Sequence, residues 1–298
     1  MPKTPVISIV LPVYNAKSFL HQAVQSVFAQ TISDWECIIV DDASTDGSYE
    51  YLQRISDPRV TVVRNERNMK HPETVNRGND LARGKFIARM DADDIMSPER
   101  MEKQVLAMEK NPDVDVLGCW TFITDNNLNL NTIGRFPLTH AEITRWPTIN
   151  YRITYGTLVG KAEWWRKWRL TPTALHPTSF DLYLRSFRES TYANITDILY
   201  VYRFVGNTRT LSKMNRAIYH RCKTLIEHGF KLGMPIATLI GLISMLPRPL
   251  LYMAKFAVGS KTGLMQGKAD RPTNEEEILF KKLLDAVSKV EVPLMGPV

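Results

Sequence analysis

The stretch Gly84-Lys85-Phe86-Ile87-Ala88-Arg89-Met90-Asp91-Ala92-Asp93-Asp94 decides the fold. Its first half is apolar and strand-like, and its end delivers three carboxylates within four residues. Carboxylates at the end of a buried strand repel one another and lose hydration, so they are tolerated where a divalent cation or another ligand lies between them. Because Mg²⁺ and Mn²⁺ prefer one or two carboxylates plus phosphate oxygens, Asp-x-Asp suggests a metal–diphosphate site. Such a short acidic pattern, taken alone, is more often a solvated turn.

Other short, apolar segments in the first half of the chain are also typical of buried strands. They are residues 6–11, 36–40 and 60–63, with 86–88 as the fourth. Between the first two, apolar side chains from Phe19 to Phe28 recur at helical spacing. Strands that alternate with helices predict an α/β protein with an open, mostly parallel sheet flanked by helices.

Polar clusters follow three of these strands. They are Pro12-Val13-Tyr14-Asn15, Asp41-Asp42 and Asp91 to Asp94. In open α/β sheets ligands bind beyond the carboxyl ends of the strands. The three clusters, far apart in sequence, are therefore expected to meet at one edge of the sheet and to form a binding site.

Three motifs together resemble family 2 glycosyltransferases. They are residues 9–15 (IVLPVYN), 40–48 (VDDASTDGS) and 88–94 (ARMDADD), the last followed by Pro98-Glu99-Arg100. The match is clear from residue 6 to 118 and weaker to about residue 203. The resemblance implies the GT-A fold, with an open, mostly parallel (mixed) sheet, and an enzyme that uses a nucleotide-diphosphate sugar as donor, a UDP-sugar for preference.

The resemblance also implies a donor site at the strand ends. Its nucleotide-binding positions are Pro12, Tyr14, Asp41, Asp42, Asn76 and Asp91. Asp41 or Asp42 would accept a hydrogen bond from the base; for uracil the donor is the ring N–H. Asp93, with Asp91, would coordinate the Mn²⁺ or Mg²⁺ that bridges the diphosphate. Packing at the sheet edge is the alternative for Tyr14, and a turn role is the alternative for one of the two adjacent aspartates.

Inverting transfer, which the resemblance implies, needs a general base to deprotonate the acceptor hydroxyl. The family usually takes it from an acidic pair that opens a helix, and the matching segment here is 178–185 (TSFDLYLR). Ser179 stands where that base is expected, so Asp181 and His176 are the candidates. The alternative for Asp181 is a capping box with Thr178, and for His176 simple solvation before a proline. Because Ser179 replaces the expected base, an alternative is that the protein is a catalytically impaired relative that still binds nucleotide sugars.

The net charge is +7, and the excess of cations lies after residue 140. Trp146, Trp164, Trp165 and Trp168 are interleaved with these cations. A basic, aromatic-rich segment is compatible with an anionic membrane surface or with nucleic acid. A nucleic-acid-binding module is the alternative outside the transferase class; since nothing else supports it, no nucleic-acid partner is expected.

The C-terminal region contains two short apolar segments, 235–246 and 250–258, separated by Pro247-Arg248-Pro249. Each is shorter than the ~20 residues that a spanning helix needs. They predict helices that associate with a membrane surface, the alternative being helices packed on protein. The chain then divides into a nucleotide-sugar- and metal-binding half (1–120), an acceptor-side half (121–230) and a helical, membrane-associating region (231–298). The tail after residue 292 is expected to fray.

Together these features predict an inverting, metal-dependent glycosyltransferase of bacterial-type cell-surface glycan or glycolipid assembly. Its partners would be the nucleotide-sugar donor, a glycan or lipid-linked acceptor with a free hydroxyl, and a membrane surface. The three cysteines are widely spaced and no signal-peptide pattern opens the sequence. Both observations favour a cytoplasmic protein that is peripheral to the inner face of the cell membrane.

Overall fold

The computed structural model describes residues 4–173, 178–204, 211–246 and 271–295. The strands within these ranges are β1 (Ile7–Val13), β2 (Trp35–Asp41), β3 (Val60–Arg64), β4 (Phe86–Arg89), β5 (Ile95–Met96), β6 (Val116–Thr124), β7 (Leu130–Gly134), β8 (Val159–Lys161) and β9 (Tyr192–Arg203). The α-helices are α1 (Lys17–Phe28), α2 (Ser48–Leu52), α3 (His71–Leu81), α4 (Arg100–Lys110), α5 (His140–Ile143), α6 (Ala162–Lys167), α7 (Thr178–Ser186), α8 (Leu211–Thr224), α9 (Pro235–Ile243) and α10 (Asn274–Ser288).

The first half of the sheet is parallel. β1 pairs with β2 and β4, and β2 pairs with β3, all in parallel register. β1, β2 and β4 are buried along their whole length, which explains why they read as continuous apolar runs. β1 continues past Pro12 to Val13, whose carbonyl accepts a hydrogen bond from the Asp42 N–H (2.8 Å). The four strands predicted in this half are therefore confirmed, with small shifts at their ends.

The second half of the sheet mixes directions. β8 pairs antiparallel with β4 and β6, β9 lies parallel to β6, and β5 pairs antiparallel with β9. The strand order is β3-β2-β1-β4-β8-β6-β9-β5, with β7 on β6. This mixed sheet with flanking helices confirms the predicted fold class. β6 crosses residue 120, so the predicted division at that residue falls within a strand.

Helix α4 begins two residues later than the sequence pattern indicates. Ser97 followed by Pro98 is typical of a cap and a first helical position, but the helix starts at Arg100, and Ser97 instead donates its hydroxyl proton to Glu99. The cause is Arg100, whose fully buried guanidinium donates to the carbonyls of Arg89 (2.9 Å) and Gly156 (3.1 Å). These bonds fix the start of α4 directly behind the acidic loop.

The C-terminal segment packs back onto the sheet and onto the segment that follows α2. Phe280 of α10 contacts Phe122 of β6, with ring centroids 5.1 Å apart. The Ser56 N–H donates to the Pro293 carbonyl (2.8 Å), and the Met295 N–H donates to the Arg54 carbonyl (2.7 Å). The expectation of a frayed tail is therefore wrong as far as residue 295, because its main chain pairs with the segment that follows α2.

No helix in the described ranges combines the length and apolarity of a membrane span. Of the two apolar segments predicted to meet a membrane, the first contains α9. The second, 250–258, lies outside the described residues.

Candidate active site

Loops that follow β1, β2 and β4 lie side by side, because β1 is the neighbour of both other strands. The first two are cross-linked: the Asn15 side chain accepts from the Thr45 N–H (2.9 Å), and the Asn15 N–H donates to Ser44 Oγ (3.0 Å). Pro12 is buried beneath them, and the Tyr14 ring is half exposed at 51%. Two of the predicted nucleotide-binding residues thus lie at the rim of this edge, with an aromatic face open to solvent.

Asp41 is buried at the end of β2, and within the described ranges only one of its two carboxylate oxygens is hydrogen-bonded. Its Oδ2 pairs with Arg64 Nε (3.2 Å) and accepts from the Ser44 N–H (3.1 Å). Its Oδ1 is buried and has no hydrogen-bond partner among the described residues. A buried acceptor without a partner is costly, so this oxygen fits a ligand that brings an N–H donor.

Both carboxylate oxygens of Asp42, by contrast, accept hydrogen bonds from the chain. Its carboxylate accepts from Asn65 Nδ2 (2.7 Å) and from the main-chain N–H groups of Met69 (2.7 Å) and Lys70 (3.0 Å). It holds Lys70 at φ 73° and ψ 157°, a conformation that only glycine adopts without strain. Asp42 therefore fixes the loop before α3 above the sheet edge.

Asn76 is also occupied by the chain. Its side-chain amide donates to the Leu170 carbonyl (2.8 Å) and accepts from the Leu170 N–H (3.0 Å). These two bonds tie α3 to the segment that leads to α7. The predicted contact of Asn76 with the nucleotide stays a prediction.

Asp91 is held by a buried arginine. Arg89, fully buried in β4, donates from Nη2 to Asp91 Oδ1 (3.0 Å) and from Nη1 to the Val10 carbonyl (3.1 Å). His71 Nε2 lies 3.4 Å from the same Nη2, and the Arg89 guanidinium stands 5.0 Å from the centre of the Tyr155 ring. The start of α3 therefore contacts both acidic clusters: Lys70 donates to Asp42, and His71 lies beside Arg89, which holds Asp91.

Asp93 and Asp94 carry negative charge that the chain offsets poorly. Burial, and then repulsion from Asp91, raises the pKa of Asp93 to about 6. Burial and the two neighbouring carboxylates also raise the pKa of Asp94, which accepts from the Arg203 N–H (2.8 Å). Arg203 Nη1 donates to the Asp93 carbonyl oxygen (3.0 Å), a main-chain atom. An added cation would relieve this repulsion.

The donor set of this loop fits Mg²⁺ or Mn²⁺ only in part. The carboxylate oxygens are the hard ligands these ions prefer. No group of three or more His, Cys, Asp or Glu side chains in the described ranges could hold an ion by itself. Asp91 and Asp93 therefore fit an ion that takes its remaining ligands from water and diphosphate, as Mg²⁺ commonly does.

Asp181, a candidate base, lies buried on α7. Its Oδ2 accepts from Thr171 Oγ1 (2.7 Å) and Arg185 Nε (2.9 Å), and its Oδ1 lies 3.4 Å from His228 Nε2. The described part of α7 begins at Thr178, and the capping box with Asp181 stays a prediction. His176, the other candidate, lies outside the described residues. The identity of the base stays a prediction.

The sequence motifs did not single out Arg89, His71 or Lys70, which the structure places beside the acidic residues. A signal was available for Arg89, because a cation inside an apolar strand needs a partner. Nothing local indicates the contact of the loop at Lys70 with Asp42, since the two are joined only by the fold.

The chain matches the family described as Glycosyl transferase family 2 over residues 8–163, which is more than half of its length. It belongs to glycosyltransferase family 2. The match spans all three strand-end clusters and confirms the resemblance, so the protein is a glycosyltransferase. An uncharacterized glycosyltransferase of Methanocaldococcus jannaschii is 28% identical over 232 residues, 75% of this chain and 79% of that protein.

A second relative and one solved structure are also similar. The UDP-Glc:alpha-D-GlcNAc-diphosphoundecaprenol beta-1,3-glucosyltransferase WfgD of Escherichia coli is 31% identical over 131 residues, 44% of this chain and 54% of that protein. The crystal structure of S. aureus TarS 1–349 in complex with UDP-GlcNAc superposes with a TM-score of 0.63 at 16% identity, over 96% of this chain and 81% of that one. At that identity the likeness concerns the fold.

Proposed function

We propose that this family 2 glycosyltransferase transfers a sugar from a UDP-sugar to a hydroxyl of a lipid-linked glycan, with inversion, during assembly of a bacterial cell-surface polysaccharide. The observation that carries the proposal is the meeting of Asp41, Asp91 and Asp93 at one sheet edge. One of these carboxylates has a buried oxygen without a partner, and another has a raised pKa.

The base would bind beside Asp41. The uracil ring N–H is a donor, and Asp41 Oδ1 is a buried acceptor that lacks one. Adenine in a nucleotide has no ring N–H, and its exocyclic amino group offers a donor at a different position, so it would match this acceptor less well. Tyr14 and Pro12 at the rim would contact the base and the ribose.

The diphosphate would lie at the loop after β4. Asp93 and Asp91 would hold the Mn²⁺ or Mg²⁺, which would supply Lewis-acid stabilisation of the leaving diphosphate. Arg89 holds one Asp91 oxygen and so fixes the direction of that carboxylate. Arg203 and Tyr200 fix the main chain of the loop, because Arg203 donates to the Asp93 carbonyl and Tyr200 Oη accepts from the Asp91 N–H (3.2 Å).

Deprotonation of the acceptor hydroxyl needs a base on the opposite face of the sugar. Asp181 and His176 remain the candidates, and the donors already on Asp181 Oδ2 favour His176. The pair His176→Gln and Asp181→Asn separates the two, since only the base should cost most of the turnover at unchanged stability.

The acceptor proposal draws on the relative from E. coli, whose name gives a diphosphoundecaprenol-linked acceptor and a UDP-glucose donor. A lipid-linked acceptor requires the enzyme to work at the membrane surface. We therefore place it at the cytoplasmic side, peripheral to the membrane.

The test is a thermal-shift screen of UDP, ADP and UDP-sugars with and without Mn²⁺, followed by transfer assays with those that bind. Stabilisation by UDP that Mn²⁺ strengthens, and a product with inverted anomeric configuration, are the expected results. Equal stabilisation by all nucleotides, or binding without turnover on any lipid-linked acceptor, would reject the proposal in its donor or its acceptor part.

A further inference from the structure

Helix α9 presents its apolar side to solvent. Ile236, Leu239, Ile240 and Ile243 recur at helical spacing and are 44–73% exposed. Leu246, just past the helix, is 73% exposed. An ordinary surface helix of a globular protein turns such a stripe toward the core. We name these five side chains, together with Trp146, the outer face.

The orientation of α9 is fixed by close packing of its small residues. The Thr148 hydroxyl donates to the Ala237 carbonyl (2.7 Å), and a Cβ on Gly241 would lie 2.9 Å from Thr148 Cβ. Thr238 is fully buried against Gly229, where there is no room for a Cβ. The helix therefore cannot turn its apolar stripe inward without breaking these contacts.

An exposed tryptophan and cations lie in the segments that pack on α9 or lead into it. Trp146 opens the turn that carries Thr148, is 54% exposed, and has the Arg145 guanidinium 5.9 Å from its ring centre. Lys231, which lies between the segment on which α9 packs and the helix itself, is exposed, whereas Lys223 at the end of α8 pairs with Glu227 (3.6 Å). Tryptophan and cations beside an apolar stripe are typical of helices that lie at a membrane interface.

We propose that the outer face docks on an anionic lipid bilayer with α9 lying in the plane of the interface. The proposal rests on the lipid-linked acceptor proposed above. The nine residues of α9 are about 13 Å long, too short for the ~30 Å hydrocarbon core, so a parallel orientation is required. A second copy of the chain would bring the same cations face to face, whereas anionic headgroups complement them.

The sequence that follows α9 is also apolar and basic. Residues 247–270 contain four cations, Arg248, Lys255, Lys261 and Lys268, and one carboxylate, Asp270. Charge and apolar character thus continue together past Leu246.

The docking face also adjoins the acceptor side of the enzyme. Helix α9 packs on the π-helical segment Leu225–Gly229, where His228 lies 3.4 Å from Asp181 of α7. Helix α7 also carries Ser179, where the family places its base. Docking through α9 would therefore bring the acceptor side close to the lipid from which the acceptor comes.

The experiment is flotation of the full chain with vesicles of phosphatidylcholine alone and of phosphatidylcholine mixed with phosphatidylglycerol. The test variant is Leu239→Glu with Ile243→Glu. The control is Ile278→Glu with Leu279→Glu on α10, two exposed apolar side chains (53% and 46%) and the same charge change. We expect the wild type and the control to float with anionic vesicles and the test variant to lose at least tenfold in partitioning. UDP binding, measured in parallel, should be unchanged in all three.

Trp146 gives a second measurement that needs no disruptive variant. Brominated lipids in anionic vesicles should quench part of the tryptophan fluorescence, and Trp146→Phe should remove that part. A wild-type chain that does not float with anionic vesicles, as a monomer or as a dimer, overturns the proposal, and so does an equal loss in the test and control variants. Loss of UDP binding in the wild type would instead reject the proposed donor, which flotation does not measure.

Discussion

Two acidic pairs, Asp41-Asp42 at the end of β2 and Asp93-Asp94 after β4, lie at the same edge of the sheet but have different hydrogen-bond and charge partners. Asp42 receives three hydrogen bonds from the chain, and Asp41 receives Arg64. Burial raises the pKa of Asp93 and of Asp94; repulsion from Asp91 adds to the shift of both, and repulsion from Asp93 adds to that of Asp94. Apart from Asp41 Oδ1, the first pair is stabilised by donors from the chain, whereas the second is crowded by carboxylate charge that a bound cation would offset. Similar motifs at strand ends thus have different surroundings: chain donors in one case and neighbouring carboxylates in the other.

The largest effect is expected at Asp93. Asp93→Ala removes the proposed metal ligand and should lower turnover by about two orders of magnitude or more, the scale of losing a key electrostatic group. Transfer assays with and without Mn²⁺ measure this, with the exposed Asp113→Ala as the matched control. Full activity in excess chelator would remove the metal from the account.

Asp42→Asn should mainly cost stability. The amide cannot accept all three donors that the carboxylate accepts, and charge-assisted bonds are the strong ones. We expect a loss of about 2–3 kcal/mol in the free energy of unfolding. Denaturant titration measures it, and an unchanged midpoint would show that the loop before α3 does not depend on Asp42.

Asp41→Asn should change nucleotide selectivity. The amide nitrogen would replace an acceptor with a donor at the place assigned to the uracil N–H. The preference for UDP over ADP, measured by calorimetry, should fall roughly tenfold or more. If the wild type binds both nucleotides equally, Asp41 does not read the base.

Asp181→Asn is expected to have a smaller effect. It removes the charge that pairs with Arg185 and weakens the acceptor of the Thr171 hydroxyl, so the free energy of unfolding should fall by about 1 kcal/mol. Turnover should stay within tenfold if His176 is the base. A drop of a hundredfold at unchanged melting temperature would assign the base to Asp181 instead.

The sequence predicted what depends on local pattern. Apolar runs located β1 to β4, and the polar residues after them located the edge where the clusters meet. That Asp42 is fully hydrogen-bonded while Asp41 keeps an oxygen without a partner in the described part of the chain could not be predicted, because donors to Asp42 come from Met69 and Lys70, far along the chain.

Two other misses have the same cause. The start of α4 is set by the carbonyl partners of Arg100, which lie on β4 and near β8, and the order of the C-terminal tail is set by its pairing with residues 54–56. In each case a contact between distant segments overrides a local signal.

The most direct test of the contrast is the stability of Asp93→Asn and Asp42→Asn from pH 4 to pH 8, in chelator and without nucleotide. Since the pKa of Asp93 rises from 3.8 to about 6 on folding, its ionisation disfavours the folded state, and the penalty grows as pH rises through this interval. Asp93→Asn should therefore match the wild type near pH 4 and be more stable by about 1 kcal/mol or more above pH 6. Asp42→Asn should be less stable than the wild type at neutral pH. If both variants lose stability alike, the two acidic pairs do the same work and the contrast is wrong.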